Sequence, residues 1–296
     1  MTTTASAGGG ISIAAPAKIN LCLHVLGKRA DGYHLLDSLV AFAGVGDVII
    51  VEPAQTLSLA VTGPFAASLT NESDNLVLRA ARLLQHRFTV TTGAAITLVK
   101  NLPVASGIGG GSADAAAALK ALALLWHVRP HFTDAEIAAT LGADVPVCLA
   151  GIPAFMSGIG EQIAPAPHLP QAWLVLVNHG VPLATKSVFA ALAGRYSMPL
   201  PRTDLAGLEN ATALAKVLGT LHNDLTAPAR EIEPAIGAVL EALEGADGCL
   251  LARMCGSGPT CFGLFASEKT AQDAAALAAT HAGWWTAAAP LLPAGP

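Results

Sequence analysis

Four glycines within five residues, at positions 107, 109, 110 and 111, separate an apolar run from a long Ala- and Leu-rich stretch, with Ser106 and Ser112 on either side. Glycine tolerates positive φ and lets backbone pass close to a ligand, so successive N–H groups can converge on an anion. The helix expected over residues 113–126 adds the positive end of its dipole, a natural seat for phosphate. A strand, a glycine loop and a helix that together cradle phosphate groups are therefore expected here. Two familiar loops of this kind are excluded. No lysine follows the glycines, so the segment is not GxxxxGK[ST]. A dinucleotide fingerprint begun at Gly107-Ile-Gly109 would need its third glycine where Ser112 stands. The plainer alternative is a turn that merely opens an Ala-rich helix, but a bare turn rarely needs four glycines flanked by two hydroxyls.

Around the loop, apolar periods of 2 and 3.6 mix without strict βαβ order. Strands are expected over residues 11–14, 19–25, 47–51, 56–61 and 95–99. A helix over 75–86 has a plausible cap in Asp74, and one over 134–141 opens at Thr133 and stops at Gly142. Past a break at Gly151–Pro153 the pattern predicts a strand over 173–177 and a helix over 186–192. A variable Pro- and Gly-containing stretch over 194–207 comes next, then helices near 213–219 and 233–244. Strands over 249–254 and 261–265 and a helix over 269–280 complete the chain. The expected fold class is α+β, in two domains, 1–157 and 158–296.

The composition, 53% hydrophobic, first suggests a membrane protein. A spanning helix needs about 20 consecutive apolar residues. The run 115–128 is broken by Lys120 and His127, and the run 145–159 by Pro146, Gly151, Pro153 and Gly158, so no membrane association is expected. The first 17 residues hold no basic residue and no leucine-rich run, unlike a secretory signal, and suggest a frayed tail. Five cysteines, at 22, 148, 249, 255 and 261, form no CxxC pair and sit mostly in apolar segments. Reduced thiols, a cytoplasmic location and no zinc site are expected. A net charge of −5 with dispersed Lys and Arg argues against a nucleic-acid partner. No obligatory protein partner is evident, and no metal ligands are assigned.

Pro103-Val-Ala-Ser-Gly-Ile-Gly-Gly-Gly-Ser-Ala-Asp-Ala115 resembles the phosphate-binding motif of the GHMP small-molecule kinases, with Ile108 where leucine is more usual. Pro16-Ala-Lys-Ile-Asn-Leu21 matches that family's first motif and Gly256-Ser-Gly-Pro-Thr-Cys-Phe262 its third, in the right order across nearly the whole chain. Gly27-Lys-Arg-Ala-Asp-Gly-Tyr-His34 and Gly142-Ala-Asp-Val-Pro-Val147 narrow the resemblance to the branch that phosphorylates a cytidine-diphosphate-linked small molecule in the non-mevalonate route to isoprenoid precursors. The resemblance implies a two-domain α+β fold with substrate and ATP, accompanied by Mg2+, in a cleft between the domains.

It also implies roles. Pro103, Ser106, Gly107, Gly109, Gly110, Gly111 and Ser112 would hold the ATP phosphates, with Asn75 and Lys100 on the adenine side. Asp144 would accept the substrate hydroxyl proton, while Lys18 would orient it and stabilise charge on the phosphoryl oxygens. Taken alone, Asp144 reads as a solvated turn residue and Lys18 as a surface lysine; the joined motifs reverse that. Asn20 lies two residues from Lys18, so a strand sends both side chains to one face, and it would bind substrate. Tyr33, His34 and Phe189 would serve the cytosine, though Phe189 reads equally well as helix packing. The loop 256–259 either closes on substrate or makes a tight turn. Asn223-Asp224 matches a family pair without a derived role. Two alternatives stay open at this point: a GHMP kinase acting on another alcohol, and a silent nucleotide-binding regulator.

Overall fold

The computed structural model describes residues 3–5, 10–69, 74–131, 133–202 and 205–293. The elements in chain order are β1 (Thr3–Ala5), β2 (Ile11–Lys28), β3 (His34–Ala54), β4 (Ser58–Thr62), α1 (Leu76–Phe88), β5 (Gly93–Val99), α2 (Gly110–Leu125), α3 (Asp134–Leu141) and α4 (Val145–Ala150). They continue with β6 (Ala154–Gly158), β7 (Gln162–Pro165), β8 (Trp173–Asn178), α5 (Thr185–Ala191), α6 (Ala211–Gly219), α7 (Thr226–Ile232), α8 (Ala235–Glu244), β9 (Cys249–Met254), β10 (Cys261–Phe265), α9 (Glu268–Ala278) and β11 (Trp285–Pro290). Helices and strands mix as the α+β expectation requires. β4 pairs parallel with β5, whereas β3–β5, β3–β6, β8–β10 and β9–β10 are antiparallel. Among the described residues no helix is long and apolar enough to cross a membrane.

The chain forms two compact units interleaved along the sequence, residues 1–17, 46–104 and 109–151 in one and 18–45, 105–108 and 152–296 in the other. In the first, the end of β3 pairs with β5 and β5 with β4, and α2 packs against α1 and α4. The run of alanines in α2 explains that packing: Ala113, Ala115, Ala116, Ala117 and Ala118 are all buried, and their small side chains let neighbouring helices approach closely. In the second, the sheet β11-β8-β10-β9 carries α8 and α9. Its core gathers Val175, Val177, Val239, Leu243 and Phe265 with Leu23 and Val25 of β2.

Three expectations change. The tail is not wholly frayed, because Thr3–Ala5 pairs antiparallel with Ile11–Ile13; residues 1–2 and 6–9 lie outside the described residues, as do 203–204 of the variable stretch. Asn75, not Asp74, caps α1: its Oδ1 accepts from Val77 N at 2.9 Å, whereas Asp74 pairs with Arg79 at 3.7 Å. Asn75 immediately precedes the first helical residue, which is where a cap can reach the second free N–H. α2 begins at Gly110 rather than 113. Glycine's weak helix propensity hid those first residues, and packing overrides it. Thr133 does open α3, with Glu136 N donating to its Oγ1 at 3.2 Å and Thr133 N donating to Glu136 Oε2 at 2.8 Å.

Candidate functional site

In the first unit the site is built around the start of α2. Gly109 holds φ +65°, the left-handed region that favours glycine, and the chain then turns directly into the helix. A Cβ on Gly110 would stand 3.0 Å from Lys100 Nζ, and one on Gly111 3.6 Å from Leu76 Cδ1 of α1. The backbone at Gly110 therefore lies close against the Lys100 ammonium. Asn75, through its cap, fixes the helix that brings Leu76 there. Pro103 is buried at the loop entrance, and Gly111 is exposed.

Lys100 is not presented outward. It is 2% exposed and donates to Asp47 Oδ2 at 2.5 Å and to Asp114 Oδ2 at 2.8 Å. Asp47 Oδ1 also accepts from the N–H groups of Asn101 and Leu102 at 2.6 and 2.8 Å, tying the end of β5 to β3 just before the loop. Burial alone would lower the lysine, but the charges of Asp114 and Asp47 outweigh it, and Lys100 ends above its ordinary range. Two carboxylates sharing one ammonium leave an excess of buried negative charge. Burial pushes Asp114 up to about 8 despite the pull of Lys100. Asp114 Oδ1 has no hydrogen-bond partner in the structure. Asp144 stands at the cap position of α4, half-buried, and its side chain does not cap that helix. Ser112 is half-buried in the first turn of α2.

In the second unit, β2, residues 105–108 and the turn between β9 and β10 interlock. Lys18, 4% exposed, donates its N–H to Ile108 O at 2.9 Å. Asn20 N–H donates to Cys255 Sγ at 3.2 Å, and Asn20 Nδ2 to Ser38 Oγ at 2.8 Å. Cys255 Sγ donates in turn to Gly107 O at 3.3 Å, and Ser106 O accepts from Thr260 N. A Cβ on Gly107, whose φ is +77°, would meet Gly258 O at 2.6 Å and Cys255 O at 2.7 Å. The 256–259 segment is a tight turn packed on residues 105–108. Asn223 holds the turn by donating to both Met254 O and Gly256 O at 2.8 Å, and Asp224 Oδ2 accepts from Val25 N at 2.6 Å. The Asn223-Asp224 pair thus acquires a role: it ties β2 to the end of β9.

Further along the same unit the His34 and Phe189 rings stack, centroids 4.8 Å apart and planes 26° from parallel. Tyr33 is 60% exposed beside them in sequence. Burial first, and then the charge of Lys28, hold His34 below the ordinary histidine range, so its imidazole is neutral near pH 7, with one donor and one acceptor nitrogen.

Sequence reasoning missed Asp47, Asp114, Ser38, Cys255 and the work of Asn223. Asp47 carried a usable signal, an acid at the head of an otherwise apolar strand. Asp114 lay inside the glycine motif, where the helical pattern of its alanine neighbours already implied burial. Among the described residues no group of three or more His, Cys, Asp or Glu side chains is arranged to hold a metal.

Residues 75–152 match the GHMP kinases N terminal domain and residues 202–281 the GHMP kinases C terminal domain. A 4-diphosphocytidyl-2-C-methyl-D-erythritol kinase of Paramagnetospirillum magneticum is 58% identical over 95% of this chain and 98% of its own. One of Cereibacter sphaeroides is 57% identical over 93% and 97%. A crystal structure of a 4-(cytidine 5'-diphospho)-2C-methyl-D-erythritol kinase superposes with a TM-score of 0.79 at 32% identity, covering 94% of this chain and 98% of that one. Mevalonate kinase from L. major, at 16% identity and a TM-score of 0.66, shares the fold.

Proposed function

The chain belongs to the GHMP kinases, and on that premise we propose that it transfers the γ-phosphoryl group of ATP to the 2-hydroxyl of 4-diphosphocytidyl-2-C-methyl-D-erythritol, in the cytoplasm, on the non-mevalonate route to isoprenoid precursors. The observation that carries the choice of substrate is the stacked His34–Phe189 pair, on a chain that runs the full length of relatives bearing that kinase's name. A neutral imidazole offers a donor and an acceptor to the edge of a pyrimidine, and the rings offer a flat apolar surface. Neither would serve an alcohol substrate without a base. We assign ATP binding and catalysis to a domain over residues 1–157 and the substrate side to one over 158–296, with Asn20, Tyr33 and His34 of the first stretch folding in the same compact unit as the second.

Phosphoryl transfer asks the protein for alignment and for positive charge where negative charge accumulates. The N–H groups around Gly107–Ser112 hold the phosphates, with hydroxyls from Ser106 and Ser112. Asn75 and Lys100 lie on the adenine side; the ion pairs of Lys100 support that region from behind. Asp144 accepts the proton of the 2-hydroxyl as its oxygen bonds to the γ-phosphorus and the bond to the β-phosphate oxygen breaks, releasing ADP. Lys18 stabilises the charge that develops, and Asn20 positions the sugar alcohol. Tyr33, His34 and Phe189 hold the cytosine. A Mg2+ ion bound with ATP would be held by the phosphates and the hydroxyl of Ser106 or Ser112, oxygen donors that suit a hard cation, and would neutralise charge on the triphosphate.

The test is ATP turnover with 4-diphosphocytidyl-2-C-methyl-D-erythritol beside mevalonate, homoserine and galactose. Turnover with the first alone is expected. Equal turnover with any of the others, or none with the first, would sink the proposal.

A further inference from the structure

The stretch from Arg195 to Arg202 has the composition of a variable loop, yet it is fastened at nearly every residue that can be fastened. Arg195 closes α5 by donating from Nε to Leu192 O and from a terminal nitrogen to Ala191 O, both at 3.0 Å. Ser197 N–H donates to Val25 O at 2.9 Å, and its hydroxyl to Asp224 Oδ1 at 2.8 Å. Met198 O meets His24 Nδ1 at 2.8 Å, and the His24 ring stacks on His222 with centroids 4.3 Å apart. Leu200 N–H and the Arg202 guanidinium share the buried Asp37 carboxylate at 2.9 and 2.8 Å. Such fastening removes the conformational freedom that an exposed loop normally keeps.

The residue this fastening presents is Tyr196. Its neighbours on both sides are held, while the residue itself is 44% exposed, in the same unit as the His34–Phe189 stack. The Tyr196 and His34 centroids are 6.5 Å apart with planes tilted by 58°. That spacing lies within the range of interacting aromatic pairs, and the tilt makes Tyr196 a side wall rather than a third parallel plate. A half-exposed ring on a rigid mount gains burial only when something flat is placed against it.

We infer that Tyr196 is a further specificity-determining residue, a wall that closes on the pyrimidine nucleoside end of the substrate at the edge of the His34–Phe189 stack. The inference rests on the substrate reading given above. The contact is made by the ring face, so the hydroxyl is dispensable.

The experiment compares Tyr196→Ala, Tyr196→Leu and Tyr196→Phe with His34→Ala and Phe189→Ala. It measures KM for the cytidine-diphosphate-linked substrate, KM for ATP, kcat, and calorimetric binding of cytidine diphosphate as a probe. Tyr196→Ala and Tyr196→Leu should each raise the substrate KM and weaken cytidine diphosphate binding by about 3- to 10-fold, the worth of one aromatic contact. ATP KM and kcat should stay within about twofold, and Tyr196→Phe should match the parent. The leucine variant keeps an apolar side chain in place and so carries the test if the alanine variant folds poorly. An unchanged substrate KM in the leucine variant overturns the inference, as does a parallel rise in ATP KM. If His34→Ala and Phe189→Ala also leave cytidine diphosphate binding unchanged, the base-site reading itself has failed. If those two weaken it and the Tyr196 variants do not, only the inference on Tyr196 has.

Discussion

The glycine loop and the aromatic surface, to which we assign opposite ends of the chemistry, are built in opposite ways. The loop shows almost no side chain. Behind Gly110 a lysine and two aspartates are buried and spent on one another, and around Gly107 the chain is wedged between backbone carbonyls. At the aromatic surface the side chains themselves are on offer, with Tyr33 and Tyr196 largely in solvent and His34 half-buried. A phosphate is the same on every nucleotide, so backbone N–H groups suffice and charge is used only to fix their position. A base must be told from other groups, and that takes rings and a polar edge. The two regions should therefore fail differently when mutated, one in turnover and stability, the other in substrate affinity.

The largest effect belongs to the chemistry. Asp144→Asn should lower kcat by roughly 100- to 10,000-fold, the usual worth of general-base assistance, while both ligands bind within a few-fold of normal. Lys18→Met should also cut turnover, and if the two residues serve one step as proposed, the double variant should lose much less than the product of the single losses. Rapid-quench turnover with calorimetric binding checks all three. An Asp144→Asn enzyme that keeps most of its turnover would leave phosphate positioning as the main device, which a loose transition state permits.

Next comes the wedge. Gly107→Ala places a methyl within 2.6–2.9 Å of backbone atoms of Cys255 and Gly258, at a φ of +77°. Neither backbone can yield cheaply, so a loss of about 1–3 kcal/mol is expected in urea unfolding. Tyr33→Ala, on the exposed surface, should stay within about 0.5 kcal/mol of the parent. Equal losses would erase the contrast between the two regions.

The same contrast explains what could be read from the chain. The loop was legible because no residue but glycine performs its task, and the ends of β9 and β10 because their apolar runs have sharp borders. α4 and α7 were not legible, each only about two turns long and opened by residues, Asp144-Val-Pro and Leu225-Thr-Ala-Pro, that read as turns. β2 was read as two strands because Pro16 interrupts it, although a proline that owes no ladder N–H can sit within a strand. Lys100 was named only through the family resemblance, and its partners lie 53 and 14 residues away, a pairing that leaves no periodic trace. Tyr196 was hidden for the same reason. Its mount is made of Val25, Asp224 and His24, which nothing in residues 194–207 announces.

A smaller effect tests the aromatic end directly. His34→Ala should raise the substrate KM by about 10-fold, since removing one hydrogen-bonding partner leaves a polar edge of the base unpaired. ATP KM should hardly move. Steady-state kinetics with each substrate varied in turn decides it, and equal effects on both would make His34 a structural residue of the β3 start.

The smallest effect is a pH dependence, and its sign separates two versions of the base site. Burial and the nearby Lys28 charge hold His34 below the ordinary histidine range, so the proton is disfavoured in the folded enzyme. The neutral form then predominates at pH 7 and is lost as the pH falls below the ordinary histidine value. If His34 faces the cytosine edge, protonation removes its acceptor nitrogen, and the substrate KM should rise by a few-fold between about pH 7 and 5.5. If instead it faced the diphosphate, the imidazolium would attract that group and KM would fall over the same range. His34→Asn cannot be protonated in this range and should flatten the profile in either case, which ties the effect to this ring. The substrate's diphosphate, esterified at both ends, does not titrate over this range, whereas the terminal phosphate of ATP does, so ATP is kept saturating at every pH. A falling substrate KM would move His34 from the base to the diphosphate, and with it the aromatic surface would lose its polar reader and keep only its rings.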